Sequence, residues 1–286
     1  MKKPNRSTCM GLLAVCVALP GLGKTETPDS PPATRRESPA SAPEKGPLSV
    51  ATLAISSVDY DTYVREAEGL FADANAEDMR VWFRHLREDR RPATMRKGHW
   101  HACVNDVYSR LIRSSTSGLD LDAELIGVVE EAEDLVVRDY ALQHLAILVE
   151  QKRGGNALGV LRKAADWRST PLAGTALLNL YRLGDGREDG TLAARALNVA
   201  ADSEAHGAAR STALQVGLLL EDERFLDPAV EIARRTQVVA HRVSALRVIA
   251  AFGGPEQKDL LLRLRRRGPR PASTIADEAL TGFDHE

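Results

Sequence analysis

The chain is predicted to be all-α, an α-solenoid of stacked helix pairs, on three observations. The dipeptide Ala-Leu returns at Ala141-Leu142, Ala176-Leu177, Ala213-Leu214, Ala245-Leu246 and Ala279-Leu280, in steps of 35, 37, 32 and 34 residues. That interval holds two short helices and a turn, a unit that cannot bury its apolar face alone and must stack on its neighbours. Of the 286 residues 43% are hydrophobic but only 5% aromatic, which favours helices packed through Ala and Leu over a sheet sandwich. From about Leu48 onward the apolar residues keep a helical spacing.

Residues 1–23 have the form of an export signal. Lys2, Lys3 and Arg6 precede an apolar stretch from Met10 to Leu19, and Gly21-Leu22-Gly23 offers a small-x-small cleavage site before Lys24. The stretch is too short for a permanent transmembrane helix, so the expectation is a periplasmic or extracellular protein. Cys16 follows Leu13-Ala14-Val15, which resembles a bacterial lipobox with valine where a small residue is usual. A lipid anchor at Cys16 is therefore the alternative to cleavage further on. Cleavage after Gly23 would leave Cys103 as the one cysteine, with no internal disulfide. Ala18 to Thr25 also satisfy a relaxed phosphate-loop pattern, but such a loop must open a helix, and Pro28, Pro31 and Pro32 follow instead. Residues 24–47, Pro-rich and without apolar periodicity, read as a disordered tether.

Residues 48–121 form a helical cap region without a clean Ala-Leu mark. Asp61 is placed to cap a helix through Phe71, Glu77 to Leu86 carries Met79, Val81, Trp82 and Phe83, and a third helix runs from about His99 to Ile112. The repeated part, residues 122–286, pairs a first helix with a second over 122–133 and 135–151, 156–167 and 171–183, 190–201 and 205–220, 228–236 and 238–252, and 256–267 and 272–283. Thr170 before Pro171 and Asp227 before Pro228 each put a capping side chain ahead of a proline at the first helical position. Gly184, Gly253 and Gly268 stand where helices should stop.

In the second helices, apolar residues follow the Ala at four and seven places: Leu145 and Leu148, Leu180 and Leu183, Ile249 and Phe252, with Phe283 in the last copy. Positions 0, 1, 4 and 7 fall within about 120° on a helix, giving one core stripe with a small Ala for close approach. Gly217 interrupts that stripe, which predicts a looser third copy. The pattern Arg138-x-x-Ala141-Leu142, Arg210-x-x-Ala213-Leu214 and Arg242-x-x-Ala245-Leu246 resembles the second helix of HEAT-like repeats, the short bacterial kind related to those of phycobilin lyases. Ala173 and Ala276 replace the arginine in two copies. The resemblance implies a right-handed α-solenoid of HEAT-like helix pairs over residues 122–286. Of activity it implies little, because such folds serve scaffolds, lyases and glycosylases alike.

Formal net charge is -2. Residues 1–46 carry seven basic and four acidic side chains, so the body is mildly acidic and lacks the positive field that nucleic-acid binding needs. His99, His101 and Cys103 are the densest metal-ligand types. His101 leaves the face shared by His99 and Cys103, so with His85 elsewhere no structural metal site is expected; the cysteine reads as a buried small hydrophobe beside partly exposed histidines. The acidic run Glu130, Glu131, Glu133 and Asp134 and the basic run from Arg263 to Arg270 read as solvated faces. No hydrolase or metalloprotease motif is present, so neither catalytic residues nor cofactors are nominated.

If the second helices line the concave side of a HEAT-like stack, residues two and six places after each Ala face outward: Gln143 and Ile147, Leu178 and Arg182, Gln215 and Leu219, Arg247 and Ala251. Gln143, Arg182, Gln215 and Arg247 are the candidate partner-binding residues, in a mixture that suits a protein or peptide. The apolar members fit equally a role in packing on the next repeat. The expected function is an exported, non-catalytic scaffold; the alternatives are a lyase- or glycosylase-like repeat enzyme and a cell-envelope spacer.

Overall fold

The computed structural model describes residues 61–65, 75–88, 90–91, 95–113 and 118–283. The export signal, Cys16, the phosphate-loop pattern and the tether lie outside the described residues, as does the predicted helix beyond residue 65. Among the described residues there is no strand. Residues 61–65 are helical, and α1 (Ala76–Arg87) and α2 (Lys97–Arg113) complete the predicted cap region. The five predicted pairs follow as α3 (Leu121–Glu131) with α4 (Leu135–Glu150), α5 (Ala157–Ala164) with α6 (Leu172–Leu183), α7 (Thr191–Ala201) with α8 (Gly207–Leu219), α9 (Leu226–Arg235) with α10 (Val239–Phe252), and α11 (Lys258–Arg267) with α12 (Arg270–Phe283). In each pair the first helix packs on the second. Each second helix also packs on the next, α4 on α6, α6 on α8, α8 on α10 and α10 on α12. The cap region joins the same scheme, α1 lying on α3 and α2 on α4.

The repeated dipeptide is the core of this packing. Ala141, Ala176, Ala213 and Ala245 are fully buried with the leucines that follow them, and Ala279 and Leu280 are buried at the end. Neighbouring second helices meet on small or polar residues just before these alanines. Thr175 Oγ1 donates to Asp139 at 2.5 Å, and a Cβ on Gly174 would lie 2.8 Å from Cβ of Thr212. In both cases the residue two places before one Ala meets the residue one place before the next, so equivalent turns stand side by side.

The arginines of the repeat pattern have a structural role. Arg138 Nε donates to the carbonyl of Val129 at 2.7 Å, Arg210 Nε to that of Ala200 at 3.0 Å, and Arg242 to that of Thr236. Each ties a second helix to the C-terminal end of its own first helix, where carbonyls lack intrahelical partners. Two of them reach onward to the following pair: Arg138 lies over the Trp167 ring at 5.1 Å, and Arg210 pairs with Glu231.

Several sequence expectations are corrected. Gly217 does not loosen the third pair. It is buried, and the Phe225 ring fills the space where its side chain would be, so that a Cβ would lie 2.3 Å from Cγ. Thr170 does not cap α6; its hydroxyl donates to the Trp167 carbonyl instead. Asp227 lies inside the first turn of α9, because a 3₁₀ turn over Glu223–Phe225, capped by Asp222, runs straight into the helix. Gly184 ends α6 in the left-handed conformation at φ 76°, whereas Gly253 and Gly268 end α10 and α11 with negative φ. The acidic run is engaged with neighbours: Glu130 with Lys163, Glu131 with Arg87, and Asp134 with Lys97 and His101.

Candidate functional site

The second helices contact one another in order from α2 to α12. Gln143, Arg182 and Arg247 are exposed, and Gln215 is half-buried. Gln143, Gln215 and Arg247 each lie two places after the repeat alanine, at corresponding turns of α4, α8 and α10, while Arg182 lies six places after Ala176, one turn further along α6. Gln143 donates to Asp139 at 2.7 Å. Among the described residues Arg182 and Arg247 have no hydrogen-bond or ion-pair partner. The apolar members divide: Ile147 and Leu178 pack against the core, while Leu219 and Ala251 are exposed.

An open hollow lies between α2 and α4, lined by Asn105, Ser109, Arg113, His144, Ile147 and Gln151. His144, in its wall, adjoins an aromatic cluster. Tyr108 is buried against Trp82 at 5.5 Å and Phe83 at 6.0 Å, and its other side meets His144 at 5.4 Å between ring centres. Asp106, also on the rim, accepts from Tyr63 Oη at 3.1 Å and from Arg110 Nε at 2.8 Å. His144 is only 5% exposed, and burial holds its pKa below the ordinary histidine value. Its Nδ1 lies 2.8 Å from the Tyr140 carbonyl and its Nε2 3.2 Å from Ser109 Oγ.

Further along the row, Asp139 is held by Thr175 and Gln143, and burial raises its carboxyl above the usual range against those two hydrogen bonds. The three buried polar side chains among the described residues, His101, His144 and Asn179, lie on the second helices α2, α4 and α6.

Compared with known proteins, the chain matches no family model and no curated sequence.

The metal-ligand types are not brought together. His101, 7% exposed rather than partly open as expected, faces Asp134 at 3.0 Å; Cys103 is buried 4.0 Å from the Met95 sulfur, and His99 is exposed. Burial, aided by Asp106, pushes the Cys103 thiol up to about 12. Among the described residues no group of three or more His, Cys, Asp or Glu could hold a metal ion. The Ser109 and His144 pairing escapes sequence reading because the two are 35 residues apart and match no motif. One signal was available: Val107-Tyr108, both fully buried, stands one repeat length before Ala141-Leu142 and marks α2 as a second helix.

Proposed function

We propose that the chain is an exported, non-catalytic binding module: a right-handed α-solenoid of HEAT-like pairs that offers the face of its second helices, the concave side of such a stack, to a protein or peptide partner. Support for the stacked reading comes from the order of helix contacts, each second helix meeting the next at equivalent turns. The observation that carries the binding reading is the contrast among arginines. Arg138, Arg210 and Arg242 are tied into the fold, while Arg182 and Arg247, on the same row of helices, stand exposed and unpaired. A planar guanidinium held on a rigid helix suits a carboxylate or carbonyl of a partner, and the nearby Leu219 supplies exposed apolar area. The acidic body argues against a nucleic-acid partner.

Site-specific photo-crosslinking tests the reading. The full chain carrying a photoreactive amino acid at Gln143, Arg182, Gln215 or Arg247 is expected to trap the same partner in its native envelope. The same group at Ala194, exposed on the first helix α7, is expected to trap none. Equal trapping from Ala194, or none from the row, would remove the proposed face.

A further inference from the structure

Ser211, Thr212, Ser244 and Thr274 turn their hydroxyls back onto the carbonyl one turn earlier in their own helix, at 2.9, 3.1, 3.3 and 3.0 Å. Ser109 is different. Its Oγ crosses the joint between α2 and α4 to reach Nε2 of His144 at 3.2 Å. Nδ1 of the same ring lies 2.8 Å from the Tyr140 carbonyl, and a carbonyl can only accept. Nδ1 therefore carries the proton, Nε2 keeps its lone pair, and the Ser109 hydroxyl is the donor. Burial favours this neutral ring. The pair is not sealed in the core: it faces the hollow, whose wall combines the apolar Ile147 with Asn105, Arg113 and Gln151. A serine hydroxyl bonded to a neutral imidazole that is itself oriented from behind is the arrangement that activates a nucleophile.

We propose that Ser109 is a nucleophilic hydroxyl, with His144 as its base, that takes the acyl group of an activated ester seated in this hollow. Oγ forms a bond to the ester carbonyl carbon while its proton passes to Nε2 of His144. The bond from that carbon to the alcohol oxygen then breaks, and Nε2 returns the proton to the departing alkoxide. An ester and a serine hydroxyl become a Ser109 ester and a free alcohol, with no other reactant. The surroundings make this a single capture rather than rapid turnover. Ser109 sits within a helix whose amides bond to carbonyls one turn back, so they form no backbone oxyanion hole. The cation at hand, Arg113, has its Nε engaged with the Ser109 carbonyl at 3.1 Å.

The full chain incubated with p-nitrophenyl acetate tests this, with the acetyl group located by peptide mass spectrometry. One acetyl per chain at Ser109 is expected, absent from Ser109→Ala, with Ser211 unlabelled. His144→Gln should slow the modification on the order of a hundredfold, as loss of a general base does. Should that variant fail to fold, the wild-type rate against pH serves instead. It should rise with one ionisation below about pH 6.5, the ordinary histidine value, and then stay level to pH 8. Acetyl groups confined to lysines and other serines, a rate unchanged in folded His144→Gln, or a rate proportional to hydroxide throughout would each overturn the proposal.

Discussion

Gly217 and Phe225 illustrate how one missing side chain organises its surroundings. Gly217 stands four places after Ala213, where other copies have Leu145, Leu180 or Ile249, and the Phe225 ring occupies the vacated volume without exposure. Gly217→Ala should therefore destabilise the fold by about 1–3 kcal/mol, since even one methyl must push an aromatic ring out of a filled core. Gly159, in α5, has nothing within 4 Å of its Cβ position, and Gly159→Ala should stabilise by about 0.5–1 kcal/mol through helix propensity alone. Urea unfolding of both variants checks the pair, and a neutral Gly217→Ala would mean that Phe225 moves aside freely. The sequence invites the opposite reading of Gly217 because periodicity records the absent side chain. It does not record a ring supplied from a turn eight residues later. Short-range regularity was readable in the Ala-Leu stripe, while partners brought in across turns, such as Phe225 for Gly217 or His144 for Ser109, were not.

For the helices, the decisive contact is the arginine that ties a second helix to the end of its first. Arg210 fills a carbonyl of α7 that the helix cannot satisfy itself and extends to Glu231 on α9. Arg210→Met should cost about 1–3 kcal/mol, mostly from the partly buried Ala200 carbonyl left without a donor. Arg210→Lys should recover little, because an ammonium does not reproduce the two directions of the guanidinium fork. Arg182→Ala, on the exposed face, should change stability by no more than about 0.5 kcal/mol. Denaturant midpoints of the three variants separate a tie from a free side chain; equal losses at Arg182 and Arg210 would erase the distinction. The spacing of these arginines was visible in the sequence, and it identified the second helices correctly. Their purpose was not visible, since the acceptors are backbone carbonyls, which leave no trace in residue identity. The second pair, with Ala173 in place of arginine, meets its loop differently, through the Thr170 hydroxyl on the Trp167 carbonyl.

Over the whole molecule, titratable groups sit at joints far apart along the row, and the lowered pKa values of His144, His241 and Asp134 all make the fold less stable in acid, against the raised carboxyl of Asp139. Burial lowers the pKa of His144 at the α2–α4 joint. Burial, with His206 and Arg210 beside it, lowers that of His241 at the α8–α10 joint. A folded histidine with a depressed pKa refuses protons that its unfolded counterpart accepts, so stability falls as pH drops below about 6.5. Burial alone would raise the Asp134 carboxyl, but hydrogen bonds from His101, Lys97 and the Val136 amide together hold it well below the usual range. Its contribution is present above about pH 4 and is lost on further acidification. The urea midpoint should accordingly fall in two stages from pH 7 to pH 2. His144→Gln should shrink the first stage and Asp134→Asn the second; a midpoint level between pH 7 and 5 would contradict the histidine assignment. The all-helical class and the order of the helices were available from sequence because they depend on local periodicity, whereas ends such as those of α5 and α9 were not. The hollow beside His144 was not, because it exists only where two helices of the stack part. The arginine tie has a mechanical corollary. The last pair has Ala276 where a tie would be, an exposed bridge between Arg265 and Asp277 in its place, and no following pair among the described residues. Traction applied between α11 and α12 would part them more readily than a pair closed by Arg138, Arg210 or Arg242.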